Sequence, residues 1–153
     1  IKSNPDVKLV VIGTGKKSYI QKSMKVLDNN ALKNVKFVDK IDNKLLKYIY
    51  PEAKIFILPS KFEIFGMVIL ESMFFGTPVI TSINGGSTTL IRNKKNGIVM
   101  DKFDSDIWAK EINSILNNEE YRKELSKNAR ANIINNFTWE KISEKLLNEL
   151  NKQ

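Results

Sequence analysis

Short apolar runs rich in β-branched residues, each ending at a turn residue and each followed by a stretch of helical periodicity, constrain this chain more than any other feature. Val7–Gly13 (VKLVVIG), Val35–Val38, Ala53–Ser60 (AKIFILPS), Thr77–Thr81 (TPVIT) and Asn96–Met100 (NGIVM) read as strands. Their side chains are apolar at successive positions, the pattern of a parallel strand buried on both faces. Between the first two, KSYIQKSMKVLDNN places Tyr19 or Ile20, Met24 and Leu27 at helical spacing. Asp42 suits the N-cap of a helix carrying Leu45, Leu46, Ile49 and Tyr50. Gly66–Gly76 (GMVILESMFFG) is too long without a turn signal to be a strand, and Gly76 sits where a helix-ending glycine belongs. SINGGSTT reads as a glycine-rich loop leading to a short helix around Leu90–Ile91. The remainder is helical. Asp104 caps a helix with Ile107, Trp108, Ile112, Ile115 and Leu116 on its apolar face, a second runs from Glu119 to about Ile134, and Thr138 opens a third with Ile142, Leu146 and Leu150. Strands alternating with helices imply an α/β, doubly wound parallel sheet, whose ligands bind beyond the carboxyl ends of the strands. The loops after Gly13, Val38, Ser60, Thr81 and Met100 are therefore the ones to search.

Composition narrows the chemistry those loops can carry. The 153 residues contain neither cysteine nor histidine. Disulfides, thiolate catalysis, zinc–thiolate sites and imidazole bases are all excluded, so any reaction here uses carboxylates, amines, hydroxyls and backbone amides. No apolar run approaches the ~20 residues of a transmembrane helix, and no charged leader precedes an apolar core. A cysteine-free composition suits the cytoplasm. The net charge of +8 favours anionic partners, whether phosphates, nucleic acid or an acidic membrane surface; it is equally what a lysine- and asparagine-rich genome would produce. Aromatics are not interleaved with lysines on one face, which argues against nucleic acid. GTGKKS (Gly13–Ser18) lacks the third glycine of a dinucleotide loop and the first glycine of a P-loop, so it fits neither phosphate-binding pattern and gives Lys16 and Lys17 no ligand role by motif. Trp108 and Trp139 share helical spacing with apolar neighbours and are read as core.

The segment PSKFEIFGMVILESMFFGTPVIT holds two carboxylates in a telling place. Glu63 lies in the loop after the strongest strand, and Glu71 lies about one and a half turns into the helix opened by Phe65 and Gly66. A helix N-terminus offers unpaired amides and a positive dipole end, a seat for phosphate. An acid on each side of that seat suits a ligand with hydroxyls at both ends, as in a nucleoside diphosphate sugar. The plainer reading is that Glu63 is a solvated loop acid and Glu71 a surface position. Against it, a glutamate set among MVIL and SMFF needs a hydrogen-bonding reason to be there.

This segment resembles the signature of retaining glycosyltransferases of the GT-B fold, family four (group 1): Pro-Ser, a Glu, Phe-Gly, a second Glu after seven intervening residues, then Gly-x-Pro-Val. NGGSTTLI is similar to that family's Gly-Gly loop, NKKNGIVM to its Asn-Gly turn and last strand, and YRKELSKNARANIINNFTWEK to its terminal helices. NPDVKLVVIGTG and VKFVDKID match its upstream strands. Three departures stand out: Ile64 where glycine is frequent, Asp39 where glycine is common, and Ser87-Thr88-Thr89 in place of a frequent Pro-Glu step.

The resemblance implies a Rossmann-like C-terminal half of a GT-B enzyme, residues 1–153 forming a single donor-binding domain that lacks its first strand and the N-terminal acceptor domain. That strand and its loop would carry the Arg and Lys that neutralise the diphosphate, and would lie between Lys8–Ile12 and Lys54–Leu58. Without it the sheet is expected to show a gap, close differently or take a partner chain. Residue by residue, Glu71 is expected to bind the ribose hydroxyls and Glu63, the residue assigned to catalysis, to contact donor-sugar hydroxyls. Amides from Phe65, Gly66, Met67 and Val68 would meet sugar and phosphate, and the loop after Val38 would lie along the base. The implied activity is metal-independent hexosyl transfer from a UDP- or GDP-sugar, without a resident cofactor, to a glycan or lipid-linked acceptor held by the N-terminal half. The expected location is the cytoplasm, with a peripheral membrane surface as a further partner, and the 153 residues alone are expected to be inactive. Two rivals share the fold class. A nucleotide-sugar epimerase would not need the Glu-seven-Glu spacing. A receiver-type signalling module would need acids where this chain has Pro59-Ser60. A non-catalytic nucleotide-binding module is a further alternative.

Overall fold

In the computed structural model, which describes residues 4–152, the chain forms two compact units, Ile1–Leu46 and Lys47–Gln153. The first holds β1 (Leu9–Ile12), α1 (Lys17–Met24), α2 (Asn29–Lys33) and β2 (Val35–Val38). Its two strands pair in parallel, Leu9 opposite Val35 and Ile12 opposite Val38. The helix expected as one element between them is broken. Asp28 accepts a hydrogen bond from the Ala31 amide at 2.8 Å and so caps a separate α2, ending α1 at Met24. Asp42 takes its expected place, accepting from the Lys44 amide at 2.9 Å at the start of α3 (Asn43–Ile49).

β1 departs from the expectation of burial on both faces. All four of its side chains are at least 37% exposed, Val10 reaching 52%. A strand paired along one edge in a two-stranded sheet has too few neighbours to cover two faces, whatever its composition. The remaining strands form a separate sheet, and among the described residues no pairing joins the two.

The second unit is built on that sheet, in the order β3 (Phe56–Leu58), β4 (Val79–Ser82), β5 (Ile98–Met100), all parallel. Here the central β4 is buried as its composition demands, every residue completely so, while β5 is mostly buried and β3, at the edge of the sheet, is half-buried. Successive side chains of β4 point to opposite faces, and each face has its own core. Val79 packs with Ile69, Met73, Leu90, Ile91, Ala129 and Ile133. Ile80 packs with Ile98, Met100, Ile115 and Leu125.

The helices supplying these residues are α4 (Met67–Phe74), α5 (Gly85–Leu90), α6 (Ser105–Leu116) and α7 (Glu119–Asn136); α8 (Trp139–Leu150) closes the chain. The apolar stripe of α7, Leu125, Ala129 and Ile133, serves both cores. The caps are those the sequence predicts: Asp104 accepts from the Asp106 and Ile107 amides, and Thr138 from Lys141. Gly76 ends α4 at φ +80°, a left-handed conformation that a side chain disfavours. Two expectations are corrected. SINGG is not a loop throughout: Asn84 and Ser87 cap each other reciprocally, so α5 begins at Gly85. Trp139 is 82% exposed, because α8 buries none of its side chains, whereas Trp108 is half-buried against the Ile80 core and donates from Nε1 to the Lys102 carbonyl at 2.7 Å.

Candidate functional site

The site forms at the carboxyl ends of β3 and β4, where a chain leaving a buried strand must turn within a few residues to begin a covering helix. Leu58 and Ser60 offer carbonyls that β4 takes up. Thr81 Oγ1 donates to Leu58 at 2.8 Å, Ser82 Oγ donates to Ser60, and Asn84 Nδ2 adds a second bond to Ser60 at 3.0 Å. Hydroxyl and amide side chains at the end of a fully buried strand would otherwise lose hydrogen bonds. Their bonds fix the first residues of the Ser60–Gly66 loop to the sheet.

The second half of that loop is held by close backbone packing. Gly86 donates its amide to the Glu63 carbonyl at 3.2 Å. A β-carbon on Gly86 would lie 2.4 Å from the Phe65 carbonyl oxygen, and one on Gly85 would lie 2.7 Å from that of Ile64. Only glycines allow α5 to sit this near the loop. The Gly-Gly pair thus acts as a buttress, independent of the Ser-Thr-Thr that follows it.

Gly66, at φ +80° and ψ +59°, turns the loop into α4, and its carbonyl accepts from Ile69 at 2.9 Å. Glu63 crosses this opening, since its Cγ would stand 3.2 Å from a Gly66 β-carbon. No acidic residue occupies the first turn of α4 itself. Phe65 is 37% exposed, with its ring edge-on to Phe137 at 6.4 Å, Met67 is more exposed, and Val68 is half-buried. Ile64 projects into solvent.

Glu71 is half-buried on the second turn of α4, among Ile69, Ser72 and Met73, all fully buried. The reason for a carboxylate there is a partner that the sequence did not reveal. Tyr50, buried in a 3₁₀ turn at Tyr50–Glu52, donates its hydroxyl to Glu71 Oε2 at 3.1 Å. Burial, together with the neighbouring Glu71 charge and this bond, holds the Tyr50 phenol above the ordinary tyrosine range, so it remains a donor. In the sequence Tyr50 reads as one more apolar position of the preceding helix. The signal available was that a buried tyrosine needs a partner for its hydroxyl.

The loops after β3 and β5 also converge: Lys61 Nζ lies 5.2 Å from the centre of the Phe103 ring. Glu63, Phe65, Gly66, Met67, Val68 and Glu71 are therefore assembled by one unit around one helix start. Val38 belongs to the other unit, where its carbonyl accepts from Gly13 at 3.0 Å. Among the described residues no cluster of acids could hold a metal ion, and no helix is long and apolar enough to cross a membrane.

An arrangement of this kind, a glycine-opened helix start flanked by two acids, can accept an anion on amides and hydroxyls on carboxylates. The sequence model of the family described as "Glycosyl transferases group 1" matches residues 1–132. An uncharacterized glycosyltransferase of Methanocaldococcus jannaschii, MJ1607, is 29% identical over 144 residues, covering 94% of this chain and 36% of its own length. The crystal structure of TarM superposes with a TM-score of 0.82 at 28% identity, over 96% of this chain and 29% of its own. HepE of Anabaena in complex with UDP-glucose gives the same TM-score at 22% identity, a likeness of fold, over 98% of this chain and 42% of its own. The chain thus spans well under half the length of these relatives.

Proposed function

The chain belongs to the glycosyl transferases group 1 family, and from that premise we propose that its Lys47–Gln153 unit binds the nucleoside diphosphate of a sugar donor. The carrying observation is the opening of α4: left-handed Gly66, no acid in the first turn, Glu63 across the entrance and Glu71 one turn deeper. Amides from Phe65 to Val68 meet the phosphates and the sugar, Glu71 accepts the ribose hydroxyls, and Glu63 accepts hydroxyls of the transferred sugar. UDP-glucose bound to HepE supports a uridine donor as the first to test.

In the reaction we propose, of the retaining family-four type, the bond between the anomeric carbon and the diphosphate oxygen breaks. An acceptor hydroxyl bonds to the same face of that carbon, and its proton passes to the departing phosphate. The acceptor, a glycan or lipid-linked sugar, would be held by a further domain. Donor binding would then be separable from transfer, and these 153 residues alone would bind without turning over, because holding both reactants is worth ~7–11 kcal/mol of such a barrier. A cytoplasmic location, with a membrane surface nearby, completes the reading.

Titration calorimetry with UDP and UDP-glucose tests the roles. Glu71→Ala should weaken both ligands by about 1–3 kcal/mol, the range for hydrogen bonds to a charged group. Glu63→Ala should weaken UDP-glucose and leave UDP nearly unchanged. Equal losses on both ligands for both variants would end the assignment.

A further inference from the structure

Tyr50 is anchored through its ring and its backbone carbonyl. The side chain is 7% exposed, its ring stacks on Phe75 at 5.9 Å and meets Phe56 edge-on at 5.8 Å. Its carbonyl accepts from Thr77 Oγ1 and from the Ala53 amide. Phe56 begins β3, Phe75 follows the last residue of α4 and Thr77 precedes β4, so the ring is fixed where β3 and β4 begin and α4 ends. The hydroxyl held at the end of this mount reaches Glu71 Oε2 at 3.1 Å.

Glu71 has no comparable mount of its own. A glutamate carries three rotatable side-chain bonds, and fixing them before a ligand arrives removes an entropic cost from binding. A carboxylate has about four acceptor positions, so one bond from Tyr50 leaves capacity for two vicinal hydroxyls. Burial and the Glu71 charge keep the phenol protonated, so the bond persists across ordinary assay pH. We propose that Tyr50 is a positioning residue that pre-orients the Glu71 carboxylate toward the cis-diol of a ribonucleotide. This rests on the donor-site reading above, and specifically on Glu71 as the ribose acceptor.

The test compares UDP with 2′,3′-dideoxy-UDP, which keeps the base and diphosphate and lacks the diol. The unsubstituted chain should bind UDP more tightly than the dideoxy probe, and Glu71→Ala should abolish that preference. Tyr50→Phe removes one oxygen and keeps the ring packing. It should raise the UDP Kd about three- to tenfold while leaving the dideoxy Kd within about twofold, and it should add nothing to the loss in Glu71→Ala. A merely structural Tyr50 would weaken both probes alike. A second measurement needs no variant: ring signals of isotope-labelled Tyr50 should shift on adding UDP and not on adding the dideoxy probe. If the parent chain prefers UDP but Tyr50→Phe keeps the full preference, the positioning role is overturned and the ribose reading stands. If the parent binds both probes equally, or neither, the ribose reading falls and the proposal with it.

Discussion

Replacing Gly86 by alanine adds one methyl group where the structure has no room for it. The new β-carbon would lie 2.4 Å from the Phe65 carbonyl oxygen, 2.7 Å from its carbon and 3.0 Å from the Gly66 nitrogen. All three are backbone atoms of the loop that opens α4, so no side chain can swing aside. Relief requires the loop and α5 to part by about half an ångström or more, and overpacking of this kind costs ~1–3 kcal/mol. Parting also lengthens the bond from the Gly86 amide to the Glu63 carbonyl, now 3.2 Å, whose loss adds ~0.5–1.5 kcal/mol. The sum, about 1.5–4.5 kcal/mol, corresponds to a fall in Tm on the order of 3–18 °C for a domain of this size. The displaced atoms are those proposed to meet phosphate, so UDP affinity should fall together with stability. Thermal unfolding followed by circular dichroism, with and without UDP, reads both. Gly15→Ala is the control: its nearest neighbour would be a flexible Ile20 atom at 3.7 Å, and the change should stay within about ±0.5 kcal/mol. Gly86→Ala with the parent's Tm and UDP affinity would refute the buttress.

Other expectations follow from the same framework. Ile69→Ala, at a fully buried core position beside the site, should cost ~2–5 kcal/mol by chemical denaturation, and a loss below about 1 kcal/mol would contradict that packing. The raised Tyr50 pKa has a definite sign: its contribution to stability is complete below the ordinary tyrosine value near 10 and is lost as pH climbs further. Absorbance titration at 295 nm should therefore show a late-ionising tyrosine that Tyr50→Phe removes. If the +8 charge serves a membrane-bound acceptor, the chain should sediment with anionic vesicles and be released by salt. Equal binding to neutral vesicles would assign the lysines to solubility alone.

The sequence by itself determined the local elements and the chemistry at their junctions. Apolar β-branched runs, capping residues such as Asp104 and Thr138, and a glycine at each end of α4 act within a few residues of themselves, so they are legible in one dimension. The spacing of Glu63 and Glu71 about a helix start is local in the same sense, and it marked the segment for which donor binding is proposed. Three things were decided only in tertiary structure. Tyr50 and Glu71 lie 21 positions apart and meet because a turn and a helix pack on the same strands. Gly85 and Gly86 matter because a distant loop passes over them, which no count of glycines reveals. The apolar runs at β1 and β4 read alike, yet one is exposed and the other wholly buried. Burial belongs to the neighbours a strand acquires: β4 has a strand on each side and a core on each face, and β1 has a single partner.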